Sequence, residues 1–174
     1  MGKRSEGFER RDKDFYGTCD PAAIPDSFVR FIRGKRYVEP CYGDGDLEKL
    51  LEDHATCVWA SDIRPNDYLT CDALDIFPED IKSADCIITN PPYDWKILQP
   101  LLDHFLSLGK PTWLLLPADM MHNIRMGPYM KQCDTIVSVG RLYWMENKVK
   151  GVDNYAWFKF DHHGQHFGTE FIGR

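Results

Sequence analysis

This 174-residue sequence lacks the features that are typical of several protein classes. None of its six cysteines belongs to a CxxC pair, which argues against a zinc site or a disulfide framework and favours free thiols in a reducing compartment. No apolar run approaches membrane-spanning length, and the charged N-terminus has no apolar core of a signal peptide. We therefore expect a cytoplasmic protein with no membrane partner.

Positive charge is also scarce, with 21 lysines and arginines against 27 acidic residues and a net charge of −6. Nucleic-acid-binding proteins are more often basic, so this balance argues mildly against tight, sequence-blind DNA binding. Three histidines near the C-terminus have no cysteine or acid at metal-ligand spacing, so we expect a solvated tail and no metal site; they are His162, His163 and His166.

Strand-like and helix-like segments alternate along the chain, which is typical of βαβ units and a mainly parallel sheet. The last two predicted strands have only a loop between them and should pair antiparallel. We predict an α/β fold of about seven mostly parallel strands, with helices on both faces and a C-terminal antiparallel hairpin. Residues 1–14 are almost wholly polar and are predicted to be a mobile segment, and 15–174 to be a single domain.

Four of the predicted strands end in polar or glycine-rich sequence, namely "EPCYGDG", "SDIRP", "CDALD" and "NPPY". Ligands of open α/β sheets bind beyond the carboxyl ends of the strands, so these ends should form one site. In the first, Gly43 and Gly45 permit a sharp turn, while Glu39 and Asp44 would repel a pyrophosphate. The loop suits a ligand with a neutral or positive amino-acid moiety, although an ordinary strand-to-helix turn remains an open interpretation.

Two acids follow the next strand ends. Asp62 lies about twenty residues past the glycines, where a carboxylate can accept hydrogen bonds from ribose hydroxyls. Asp72 could accept a hydrogen bond from an exocyclic amino group, and Asp75 competes for that role. A turn or helix-capping role is the alternative for each of these acids.

The fourth strand end combines an amide, two prolines and an aromatic ring. The prolines restrict the backbone so that the Asn90 side-chain oxygen and the Pro91 carbonyl can both face the cleft. Two such acceptors can bind both hydrogens of an NH₂ group and direct its lone pair at an electrophile. The Tyr93 ring offers a surface on which a planar group can stack. A strand terminator alone does not need this set of residues.

With these motifs, the chain resembles the S-adenosylmethionine-dependent N6-adenine methyltransferases over about residues 14 to 160. "TNPPYDW" matches their catalytic motif and is the most specific piece. "DFYGTCDP" and "EPCYGDGDL" are similar to the segments around the methionine part of the cofactor, and "SDIRP" and "CDALDIF" to its ribose and adenine contacts. "WLLLPADMM" and "NYAWFKF" resemble the family's later core strands.

The resemblance implies a Rossmann-like class I methyltransferase fold, S-adenosylmethionine as cofactor, and methyl transfer to adenine N6 in DNA. It implies catalytic roles for Asn90, Pro91, Pro92 and Tyr93. It implies that the cofactor is bound by Tyr16, Thr18, Glu39, Pro40, Gly43, Gly45, Asp62, Ile63, Asp72, Ala73 and Asn90. Restriction-system relatives usually carry a separate recognition domain, so we expect a minimal, phage-like or orphan form, and a recognition partner or a dimer remains open.

Further residues are candidates for substrate contact. The loop "RLYWMENKVKGVDN" combines cations and aromatic rings, as single-stranded nucleic-acid sites do. We predict that Tyr93, Trp95, Arg141, Trp144 and Lys148 contact the substrate, with simple packing as the alternative for the two tryptophans.

Three interpretations of function stay open from the residues alone. The same NPPY motif occurs in enzymes that methylate adenine in RNA or a glutamine side-chain amide in protein. A methyltransferase-like subunit that binds nucleic acid without activity is the alternative of another class. The intact "NPPY" and the apparently complete cofactor loop argue against that last interpretation.

Overall fold

The computed structural model describes residues 17–65, 69–144, 149–161 and 168–173. The predicted mobile segment 1–14 lies outside these ranges, as do Tyr16, Lys148 and the three C-terminal histidines. The strands are β1 Arg36–Glu39, β2 Thr56–Asp62, β3 Leu69–Thr70, β4 Cys86–Thr89, β5 Thr112–Pro117, β6 Cys133–Gly140, β7 Tyr155–Phe160 and β8 Glu170–Ile172. The α-helices are α1 Asp26–Ile32, α2 Asp46–Leu51, α3 Trp95–Ser107 and α4 Gly127–Met130.

All eight strands form one sheet in the order β3-β2-β1-β4-β5-β7-β6-β8. Strands β1 to β5 run parallel to one another, and β7 inserts antiparallel between β5 and β6. The predicted parallel core and antiparallel hairpin are therefore confirmed. The predicted number of about seven strands was one too low, because β8 pairs parallel with β6 and forms the edge of the sheet. Its three residues are too few to produce a recognisable alternation in the sequence.

Helices cover both faces of the sheet, as predicted. Alternate residues of β4 face opposite cores, so that Ile87 packs beneath α3 and Ile88 beneath α1 and α2. Helix α3 begins where the Asp94 side chain accepts a hydrogen bond from the Lys96 N–H at 2.9 Å, and Gly109 follows its end with a φ of 69°. Among the described residues, no helix has the length and apolar content needed to cross a membrane.

The segment between β5 and β6 folds as a series of short turns. It forms two 3₁₀ turns, Ala118–His122 and Ile124–Met126, and then the short helix α4. The Asn123 side chain accepts a hydrogen bond from the Arg125 N–H at 3.0 Å, which ends one turn and caps the next. Gly127 and Pro128 therefore start a helix, since proline fits the first helical turn.

An aromatic cluster anchors the N-terminal part of the described chain to the sheet. The ring of Phe28 on α1 stacks on Trp157 of β7 with centroids 4.3 Å apart and meets Trp113 of β5 edge-on at 5.1 Å. The Trp157 Nε1–H donates a hydrogen bond to the Ala23 carbonyl at 2.7 Å. The start of the described chain, which includes Thr18, is thereby held near the carboxyl ends of the strands.

We expect Trp157→Phe to lower the free energy of unfolding by about 2–4 kcal/mol, because it leaves a cavity and removes the hydrogen-bond donor of a buried carbonyl. Urea denaturation followed by circular dichroism measures this loss. Phe171→Leu is the control, since Phe171 on edge strand β8 is 61% exposed and should change stability by less than about 0.5 kcal/mol. Equal losses in the two variants would contradict the anchoring role.

Candidate active site

A cavity of about 440 Å³ opens at the carboxyl ends of β1, β2 and β4. The polar strand ends expected to converge do meet there. The predicted residues that line it are Thr18, Glu39, Pro40, Gly43, Asp62, Ile63, Asp72, Ala73, Asn90, Pro91, Pro92 and Tyr93. Parallel pairing explains the convergence, because it turns the ends of successive strands towards the same edge.

Several predicted residues lie elsewhere. Gly45 does not line the cavity; it precedes α2 with a φ of 77°, and a side chain there would collide with the Tyr42 hydroxyl. Trp95 packs edge-on against Tyr129, with ring centroids 6.2 Å apart. Trp144 packs against Tyr155 at 4.8 Å and Arg141 lines a second cavity. Tyr16 and Lys148 lie outside the described residues.

Sequence reasoning missed the contribution of α3 to the cavity. This helix begins two residues after Tyr93, so its first two turns lie beside the strand ends. Its cavity-lining residues are Lys96, Ile97, Pro100 and Leu101. The close spacing between "NPPY" and the helix could have predicted this contribution. It leaves too few residues for α3 to lie away from the strand ends.

Asp62 joins the glycine loop to β2. Its Oδ2 accepts a hydrogen bond from the Gly43 N–H at 2.8 Å, and its Oδ1 accepts from the Arg64 N–H at 2.8 Å and from Arg64 Nε at 3.1 Å. The turn role considered for this acid is therefore present together with its position on the cavity wall. A carboxylate has about four lone-pair sites, so capacity remains for a hydroxyl donor.

Asp72 likewise combines a structural role with a place on the cavity wall. Its side chain caps the turn Ala73–Asp75 by accepting a hydrogen bond from the Leu74 N–H at 3.0 Å. It also lines the cavity, whereas Asp75, its competitor in the sequence, does not. The geometry thus favours Asp72 over Asp75 for any contact with a bound molecule.

One part of the cavity wall is strongly acidic. Glu39 is 1% exposed, and its Oε2 has no hydrogen-bond partner among the described residues. Burial raises the pKa of the Glu39 carboxyl well above its ordinary value of 4.5, and the nearby carboxylates of Glu48, Asp46 and Asp62 raise it further. A buried carboxyl with one unpartnered oxygen among other acids is suited to a cationic group, which would hydrogen-bond to that oxygen and offset the repulsion.

Another part of the wall is apolar, and its residues come from the segments that follow β2 and β3 and from α3. Ile63 is 54% exposed although it follows a buried strand, so a large apolar side chain stands open to the cavity. A flat, neutral ring could cover these groups and remove their surface from water. The apolar wall consists of Ile63, Ala73, Leu74, Ile97, Pro100 and Leu101.

The Asn90 amide is held from both sides. Its Nδ2 donates a hydrogen bond to Thr18 Oγ1 at 3.1 Å, and its Oδ1 accepts one from the Tyr93 hydroxyl at 2.6 Å. Thr18 is 4% exposed, so this contact is shielded from water. Burial raises the pKa of Tyr93 well above its ordinary value of 10.0, which keeps the phenol protonated as a donor. The amide orientation is therefore set, with Oδ1 on the Tyr93 side.

No group of three or more potential metal ligands occurs among the residues that the structure describes. The site therefore offers carboxylates, an oriented amide and an apolar wall as its chemical groups.

The buried carboxyl of Glu39 predicts a pH dependence of stability. Because its folded pKa is raised, the group favours folding below about pH 4.5, and that contribution is lost as the pH rises towards the folded pKa. We expect the free energy of unfolding of the wild type to fall as the pH rises above about 4.5, and that of Glu39→Gln to fall less. Glu52→Gln makes the same chemical change at an exposed position, and a pH profile like that of Glu39→Gln would contradict this assignment.

Comparison with known proteins supports the fold. No family model matches the sequence, and no curated protein matches it either. Three solved structures with related folds are a dimethyladenosine transferase from Plasmodium falciparum, the 23S rRNA methyltransferase ErmE, and a modification subunit assigned to a type I restriction enzyme of Vibrio vulnificus.

The three structures are distant in sequence. Their TM-scores are 0.52, 0.55 and 0.54, and their sequence identities are 19%, 15% and 14% in the same order. The alignments cover 80%, 82% and 91% of this chain and 59%, 67% and 47% of the respective partners. This chain therefore has the Rossmann-like α/β fold found in these methyltransferases.

Proposed function

We propose that this chain transfers a methyl group from S-adenosylmethionine to the exocyclic N6 amino group of adenine in DNA. The observation that carries the proposal is the oriented amide of Asn90, held by Thr18 and Tyr93 at the mouth of an acidic and apolar cavity. This arrangement offers a hydrogen-bond acceptor to an amine beside a space suited to a cation with an attached ring.

The two walls of the cavity fit the proposed cofactor. When bound, S-adenosylmethionine supplies a methyl group on a positively charged sulfur that a nitrogen can attack. The buried, unpartnered Oε2 of Glu39 suits the ammonium of its methionine part, and the one remaining lone-pair site of Asp62 suits a ribose hydroxyl. The apolar wall suits the adenine ring. A dinucleotide fits poorly, because the acids would repel its pyrophosphate.

Asn90 acts on the acceptor amine. Its Oδ1 has a second lone pair beyond the one that Tyr93 uses, and it can accept one N6–H while the Pro91 carbonyl accepts the other. Two acceptors favour a pyramidal nitrogen, whose lone pair is withdrawn from the ring and directed at the methyl group. Positioning and electrostatic preorganisation of this kind supply several kcal/mol without a strong base.

Tyr93 orients the acceptor and does not remove its proton. Its ring is available for stacking with the target base, and its raised pKa keeps the hydroxyl a donor to Asn90. The nitrogen becomes more acidic as it gains the methyl group, so its proton can pass to solvent afterwards. A target adenine inside a duplex must first leave the base stack to reach this site.

RNA adenine is the second candidate acceptor. One of the related folds is named as a 23S rRNA methyltransferase and another as a dimethyladenosine transferase, while the third belongs to a restriction system. One of these names includes adenosine and another includes rRNA, so RNA adenine is an acceptor that the experiment must include.

The test is transfer of labelled methyl from S-adenosylmethionine to unmethylated genomic DNA, total RNA and a cell protein extract in parallel. We expect label in DNA, recovered as N6-methyladenine after hydrolysis to nucleosides. Label in RNA alone would replace the acceptor, and label in protein glutamine would overturn the nucleic-acid assignment. Cofactor binding without transfer to any acceptor would favour an inactive binding subunit.

We expect Asn90→Ala to lower kcat by about 100-fold or more, since a preorganised polar contact to the reacting group is lost. The affinity for S-adenosylmethionine, measured by calorimetry, should change far less. Retention of most activity in this variant would contradict the central role of the amide.

Thr18→Val should lower kcat by a factor of about 2 to 12, which corresponds to the net loss of one hydrogen bond. The expected cause is a less firmly held Asn90 amide, because valine keeps the shape of threonine but accepts no hydrogen bond from Nδ2, while the Tyr93 hydroxyl still donates to Oδ1. Thr18→Ser keeps the hydroxyl and should restore kcat. Equal activity in the valine and serine variants would contradict the positioning role.

A further inference from the structure

We propose that the second cavity, of about 530 Å³, binds a backbone phosphate of the nucleic acid whose adenine occupies the first. This inference rests on the proposed function and names the contact that the acceptor makes away from the reacting base. The residues that line the cavity are Ala22, Pro25, Asp26, Ser27, Val139, Arg141 and Lys150.

The two cations of this cavity are held next to each other. Arg141 precedes Leu142 and Lys150 precedes Gly151, and the Gly151 N–H donates a hydrogen bond to the Leu142 carbonyl at 2.9 Å. The same loop is tied to the N-terminal part of the described chain, because the Tyr143 N–H donates to Asp20 Oδ2 at 3.2 Å. The backbone that carries the cations is therefore fixed.

Both side chains are available to a ligand. Arg141 and Lys150 are exposed, and within the described ranges neither forms an ion pair. Asp26 is the one carboxylate on the wall of this cavity, and Ser27 adds a hydroxyl that can donate. A planar guanidinium and a mobile ammonium together match the geometry and charge of a phosphodiester.

The position of the second cavity suits the same nucleic-acid strand. Strands β4, β5 and β6 run parallel, so Asn90 after β4 and Arg141 after β6 lie at one edge of the sheet. Aromatic rings connect the two places: Tyr93 lies 6.0 Å from Tyr155, which meets Trp144 at 4.8 Å. Cations beside a row of aromatic side chains are the usual composition of a single-stranded nucleic-acid path.

The distance between the two cavities sets a minimum length for an oligonucleotide that can reach both. Three strand spacings separate β4 from β6, which gives roughly 14 Å at about 4.8 Å per spacing. For a strand whose bases stay stacked as in a duplex, at about 3.4 Å per nucleotide, the bound phosphate lies about four nucleotides from the target adenine. Shorter oligonucleotides should not reach both cavities.

The test compares two double variants by fluorescence anisotropy of a labelled 12-nucleotide single strand, over a series of salt concentrations. Arg141→Ala/Lys150→Ala removes the proposed site. Lys82→Ala/Lys131→Ala removes two exposed cations that precede β4 and β6, at the opposite edge of the sheet. Thermal unfolding verifies that both double variants are folded.

We expect the slope of log Kobs against log salt to become shallower by about 0.7 to 1.4 in the first variant, for one or two phosphates released. The control variant should keep the wild-type slope. Asp26→Asn should change affinity in the opposite direction, because it removes the carboxylate from the cavity. Equal slopes in the two double variants, or no binding by the wild type, would overturn the inference.

Two further measurements separate this inference from the proposed function. Trimming the strand to three nucleotides on either side of the adenine should abolish the difference between wild type and Arg141→Ala/Lys150→Ala; a persisting difference would contradict the predicted spacing. Binding requires no turnover, so a difference in salt slope between the two double variants without methyl transfer would contradict the proposed function alone. Methyl transfer with equal salt slopes would contradict the phosphate site alone.

Discussion

The parallel pairing of β1 with β2 and β4 is the constraint on which the site depends. It turns three strand ends towards one edge, although they lie far apart in the chain. Glu39, Asp62 and Asn90 thereby become walls of one cavity. Because parallel strands need crossover connections, the chain must also supply helices at this edge, and α3 completes the cavity with its first two turns.

Charge is divided between the two cavities in a way that the net charge of the chain conceals. Acidic groups gather around Glu39, where a positively charged small molecule would be stabilised and a pyrophosphate repelled. Two cations, Arg141 and Lys150, line the other cavity and form no ion pair with the residues that the structure describes. A net charge of −6 is thus compatible with a local contact to nucleic acid, since electrostatic attraction at short range depends on nearby groups.

Much of the fold could be predicted because local patterns carry it. The alternation of strand-like and helix-like segments marked a parallel core, the loop without a predicted helix before β7 marked an antiparallel hairpin, and "NPPY" marked a strand end with chemistry. Elements with weak local patterns were not predicted. Strand β8 is three residues long, and the turns around Asn123 are formed by a side-chain hydrogen bond that periodicity does not reveal.

The sequence by itself determined the order of strands and helices and the chemical character of each strand end, because these follow from residue spacing, prolines and glycines within a few positions. Only the tertiary structure decided how those residues are used. The Thr18 hydroxyl oxygen accepts a hydrogen bond from Asn90 across 72 positions of sequence, Glu39 Oε2 is buried without a hydrogen-bond partner among the described residues, and Arg141 lines a different cavity from Tyr93. Such contacts depend on packing between segments that are distant in sequence. Packing selects the direction of each side chain, and a local sequence pattern does not encode that direction.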